Sequence, residues 1–86
     1  MAGMVVEYDT EAGAFYVRVT AEAVARTVEV STFVNVDLDA NSNVVGLELL
    51  CLPSAVTGEE RAVLEDRYPV AVEALVEVER LTRLSA

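Results

Sequence analysis

Histidine, lysine, glutamine and tryptophan are absent from the 86 residues, and cysteine occurs once. Without histidine the chain lacks the commonest general base and the commonest metal ligand. Without lysine it has neither a Schiff-base amine nor an ammonium nucleophile. Cys51 cannot form an intrachain disulfide, and it stands in the apolar run Leu49-Leu50-Cys51-Leu52, as a small hydrophobe at a strand end. What remains for catalysis is carboxylates, three tyrosines, a few hydroxyls and one thiol with no imidazole to activate it. The chain is accordingly expected not to be an enzyme, and no cofactor is expected. Long apolar runs are missing too. No stretch has the length of a membrane span, and Met1-Ala2-Gly3-Met4 lacks a signal-peptide pattern, so the expected location is the cytoplasm.

What is present is acidic and apolar. Fifteen acidic residues against six arginines give a formal charge of -9, with 53% hydrophobic residues. Nucleic acid and anionic membrane are poor partners for such a surface, because binding them relies on neutralising phosphates. A basic protein is a compatible one. The length is that of one domain, 1–86, divided into a strand-rich part over 1–52 and a helical tail over 53–86.

Period-two alternation runs through the first part. Five strands are expected, near 4–9, 14–20, 26–31, 33–39 and 44–51. Val17, Val28, Val30, Val34, Val36, Leu38, Val45, Leu47 and Leu49 face inward, whereas Tyr16 and Arg18 face outward. Gly13 suits a positive φ in the first turn, and the asparagines of Asn41-Ser42-Asn43 suit a left-handed turn. Short loops imply an antiparallel meander, and Glu7, Arg18, Arg26 and Glu29 are placed for cross-strand ion pairs.

The pattern changes after Pro53. Thr57-Gly58-Glu59-Glu60 has the form of a capping box opening a helix, and Pro69 either kinks that helix or starts a second one. From 70 to 84 a helix buries Val70, Ala71, Ala74, Leu75, Val78 and Leu81 along an arc of about 140°. A rival reading makes Val70, Val72, Ala74, Val76 and Val78 a sixth strand. In the helical reading Val72 and Val76 fall outside the arc, one turn apart, and are candidates for a dimer contact. The fold class is α+β, a five-stranded antiparallel meander with C-terminal helix on one face. So small a sheet with partial cover points to a homodimer.

The strand blocks also carry a resemblance. Val6-Glu7-Tyr8-Asp9 and Glu11-Ala12-Gly13-Ala14-Phe15-Tyr16-Val17-Arg18 are followed by Ala25-Arg26-Thr27-Val28-Glu29-Val30. Val34-Asn35-Val36-Asp37-Leu38-Asp39 and Val44-Val45-Gly46-Leu47-Glu48-Leu49-Leu50 complete the set. Over about 5–52 the chain resembles the prokaryotic domain-of-unknown-function 2283 family. It departs at Gly13, where an Asp is usual, and at Asn41-Ser42-Asn43, where an Asp-Gly turn is usual. The resemblance implies a stand-alone small domain with no established activity. Association of some members with genes for small toxin-like proteins implies an antitoxin role.

Two constellations stand out as candidate sites. Asp37, Asp39, Asn41 and Glu48 match the spacing of a calcium loop, except that Ser42 occupies its glycine position. Strand flanks work against a closed cage: if Asp39 pairs with Val44, then Asp37 faces Gly46 and Glu48 lies level with Asn35, one pair further from the turn. A small-ligand or calcium site in this acidic hairpin is the alternative to the leading expectation, a homodimeric protein-interaction module with a basic partner. Tyr16, outward by parity, is a candidate contact residue, or else rests against the helical tail.

Overall fold

Alternation gives each strand one apolar side, and those sides make the core. In the computed structural model, which describes residues 3–84, the strands are β1 (Val5–Asp9), β2 (Ala14–Arg18), β3 (Arg26–Ser31), β4 (Val34–Leu38) and β5 (Val44–Leu49). They form a single five-stranded sheet in which every pairing is antiparallel. A 3-10 turn, Pro53–Ala55, leads to helices α1 (Gly58–Arg67) and α2 (Pro69–Leu84). Val17, Val34, Val36, Leu38, Leu47 and Leu49 are fully buried against Leu64 of α1 and Ala71, Ala74, Leu75 and Val78 of α2. The α+β architecture is the expected one.

The strand order corrects the expected meander. It runs β1-β2-β5-β4-β3, so β2 lies beside β5 and the chain crosses the sheet end before β3. The crossing segment is pinned at both ends: Val19 N–H donates to the Val45 carbonyl at 2.7 Å, and Ala25 N–H to the Leu38 carbonyl at 2.8 Å. The physical reason lies in β5. Val45, Leu47 and Leu49 are all fully buried, and a meander would strand this most apolar segment at an edge. The edges go instead to β1 and β3, whose residues are exposed or half-buried.

Pro69 begins a second helix, as one of the two expectations had it. Thr57 and Glu60 complete the capping box reciprocally, and Tyr68 ends α1 with φ -137°, outside the helical range. Residues 70–78 are helical, which settles the rival strand reading. Burial follows the helical arc at 71, 74, 75 and 78, while Val70 is exposed and Leu81 half-buried.

Three details differ from expectation. The left-handed residue of the 39–43 turn is Ser42, at φ 65°, and neither asparagine; Gly13 does take φ 65°. Asp39 explains the turn, since its Oδ1 accepts from the backbone N–H groups of both Asn41 and Asn43 at 2.9 Å and leaves the positive φ to the residue between them. The cross-strand ion pairs are absent among the described residues, where the salt bridges join Arg61 to Glu79 and Arg80 to Glu77. Val72 is half-buried against the core, whereas Val76 is 46% exposed.

Candidate functional site on the uncovered sheet face

Both helices pack on one face of the sheet, so the other face carries the outward-pointing residues of all five strands. The register lines them up in two rows. One row runs Glu7, Tyr16, Glu48, Asn35, Glu29; the next runs Val5, Arg18, Gly46, Asp37, Thr27.

A hydrogen-bonded chain crosses this surface. The Tyr16 hydroxyl donates to Asp37 Oδ2 at 2.8 Å, and the Thr27 hydroxyl donates to Asp37 Oδ1 at 2.6 Å. Asn35 Nδ2 donates to Glu48 Oε1 at 2.9 Å. Tyr16 starts on β2 and Asp37 lies on β4, so the phenol must pass over β5. It does so at Gly46, which is buried beneath the ring and has no Cβ to obstruct it. Partial burial and the accepting, negatively charged Asp37 push the Tyr16 phenol up to about 12. Arg18 opposes this shift, with its guanidinium carbon 5.8 Å from the Tyr16 ring centroid.

Beside this chain, toward the turn that joins β1 and β2, the face sinks into a concavity of about 430 Å³. Ala12, Ala14 and Leu50 supply apolar lining, the Tyr16 ring borders it, and Glu7, Asp9 and Glu48 supply carboxylates. The Asp9 carboxylate also accepts from the backbone N–H groups of Glu11 and Ala12, which holds the β1–β2 turn in shape.

The four residues of the calcium-loop spacing do not converge. Asp37 serves Tyr16 and Thr27, Asp39 closes its own turn, and Glu48 takes Asn35. The pairings Asp37–Gly46 and Asn35–Glu48 are the ones expected, but Val44 pairs with Leu38 and not with Asp39, because the register shifts between Asp37 and Leu38. Asn41 is exposed in the turn. Among the described residues no three carboxylate or thiol groups are grouped to hold a metal ion. Cys51 lies half-buried in the bend after β5, where burial and the Glu60 carboxylate push its thiol up, away from thiolate chemistry.

Tyr16 is therefore outward, as its parity requires, and rests across the sheet and not on the helical tail. The role of Gly46 escaped the sequence reading although a signal was there: glycine inside a strand marks a close approach of another group. Thr27 escaped as well, although β3 and β4 were expected as neighbours: its bond depends on the register that sets Thr27 opposite Asp37.

The fold of strands 1–5 coincides with a family boundary. A model of the family described as "Protein of unknown function (DUF2283)" matches residues 5–51. The chain belongs to the DUF2283 family. The matched segment ends just after β5, so the match covers the sheet and the two helices lie beyond it. No curated protein and no solved structure matches the chain. Among the described residues, no helix is long and apolar enough to cross a membrane.

Proposed function

We propose that this DUF2283 protein is a cytoplasmic, non-enzymatic protein-interaction module whose helix-free sheet face receives an arginine- or lysine-rich segment of a partner. The observation that carries the reading is the concavity on that face. Its apolar lining at Ala14 and Leu50 suits the methylene stem of a long basic side chain, and Glu7, Asp9 and Glu48 surround the place where the charged head would lie. The Tyr16 ring adds a face on which a guanidinium can stack. The net charge of -9 favours encounter with a basic partner at long range. A small basic toxin is the class of partner this reading favours, with the chain as its antitoxin.

The test is a titration of the isotope-labelled protein with a tetra-arginine peptide, followed by amide chemical shifts. Shifts confined to residues around Glu7, Ala14, Tyr16, Glu48 and Leu50, weakening as salt rises, are expected. The double variant Glu7→Gln/Glu48→Gln loses them. Shifts elsewhere on the surface, or shifts unchanged in that variant, overturn the reading.

A further inference from the structure

The two edges of the sheet are treated differently. At β3 the register is broken between Glu29 and Ser31, and the Ser31 hydroxyl is tied to the Glu60 carboxylate in the first turn of α1. A bulge and a covering element are standard protections against edge-to-edge pairing. β1 has neither. Its register with β2 is unbroken over all five residues, it contains no proline, and its principal neighbour is β2 alone. It also exposes apolar side chains on both faces, with Val5 at 56% and Tyr8 at 52%.

We propose that β1 pairs antiparallel with β1 of a second copy, about a two-fold axis at Val6, to give a homodimer with one continuous sheet. Same-face pairing allows few registers, because residues can meet only in steps of two. Centring on Glu7 sets two carboxylates directly opposite and faces Val5 with Asp9. Centring on Val6 removes both conflicts. On the core side it forms an unbroken apolar row, Met4 against Tyr8 and Val6 against Val6, beside the existing Tyr8–Phe15 ring contact at 4.6 Å.

On the other side this register supplies charge complementarity. Val5 is paired with Arg18 within one copy, and Glu7 of the second copy falls opposite Val5. Arg18 and the second copy's Glu7 therefore share one row, two strand spacings or about 10 Å apart at the backbone. Extended arginine and glutamate side chains span that gap over the valine between them. Arg18 has no ion pair within its own chain among the described residues, and symmetry forms the new pair twice. The dimer does not rest on the basic-partner reading: Val6 and Arg18 lie outside the concavity, and Glu7, which lines it, is the residue the two readings share.

Sedimentation equilibrium of the whole chain tests this directly. The wild type is expected at twice the chain mass at high micromolar concentration, shifting toward the monomer with salt. Glu7→Arg and Arg18→Glu, both at exposed positions, are each expected to sediment as monomers, and the double variant Glu7→Arg/Arg18→Glu to regain the dimer. In a Cys51→Ala background, Val6→Cys is expected to cross-link into a dimer on oxidation while Tyr8→Cys does not. A monomeric wild type overturns the proposal. So does a dimer that survives both single charge reversals, or one that Val76→Asp dissociates, which would place the contact on α2.

Discussion

Gly46 sits buried in β5 beneath the Tyr16 phenol, and a methyl group there would overlap both the hydroxyl oxygen and the ring carbon that bears it. Gly46→Ala must therefore expel the tyrosine from its place over the strand and break its bond to Asp37. A destabilisation of about 1–3 kcal/mol is expected, in the range of overpacked sites. Phenolate absorbance gives the more specific readout. In the wild type the Tyr16 phenol titrates at about 12, and in Gly46→Ala it falls toward the ordinary value of 10. The sign for stability follows from linkage. A phenol that holds its proton more tightly when folded contributes stability below pH 10, and that contribution is lost as pH rises toward about 12. Alkaline unfolding of Tyr16→Phe lacks this loss, and an unchanged profile would remove the bond from the account. Half of this arrangement was legible beforehand: strand parity placed Tyr16 and Asp37 on the outer face and Asp37 opposite Gly46. The missing half was the strand order: a meander puts β3 between β2 and β4, whereas here β5 lies there and offers Gly46 as the gap that the phenol crosses.

At the scale of elements, local chemistry read well because it is local. The Thr57–Glu60 capping box depends on residues three apart, and both of its bonds are present: Glu60 N–H to Thr57 Oγ1 at 3.1 Å and Thr57 N–H to Glu60 Oε1 at 2.7 Å. Pro69 at the first turn of a new helix likewise needs no distant partner. The Ser31 contact with Glu60 was not legible, since it joins β3 to α1 across the fold. It changes the electrostatics of the cap. Hydrogen bonds from the Ser31 hydroxyl, first, and from the Thr57 backbone hold the Glu60 carboxyl below its ordinary value of 4.5. A depressed carboxyl contributes stability above that value and loses it as pH falls through the folded-state value. Acid unfolding followed by far-ultraviolet circular dichroism is therefore expected to show a stability loss below pH 4.5 that Glu60→Gln lacks. Thr57→Ala, which removes the hydroxyl from the helix terminus, is expected to cost about 1 kcal/mol at neutral pH. Equal acid profiles for Glu60→Gln and the wild type would mean that the Ser31 and Thr57 bonds do not act on this carboxylate in solution.

At the scale of the molecule, β5 is what makes one sheet out of two pieces. The β1–β2 hairpin and the β3–β4 hairpin do not touch along the sheet; each pairs with β5, through Val17 opposite Leu47 on one side and Val36 opposite Leu47 on the other. Leu47 thus joins the two hairpins and α2 in one fully buried contact set. Its strand comes last of the five in the sequence yet lies at the centre of the sheet, so its pairing with β2 spans β3 and β4 and raises the loop-closure entropy of the fold relative to a meander. Two consequences can be measured together. Leu47→Ala is expected to destabilise by about 2–5 kcal/mol, the range for buried leucines whose cavity cannot collapse. Val28→Ala, on the half-buried β3 edge, is expected to cost roughly 1 kcal/mol or less, since only part of the side chain leaves water. Urea unfolding should follow a single transition by both tyrosine fluorescence and circular dichroism, because both hairpins pair with β5 and share the core around Leu47. If Leu47→Ala instead separates the two probes into distinct transitions, the hairpins hold their own structure, and β5 adds them together without making their folding one event.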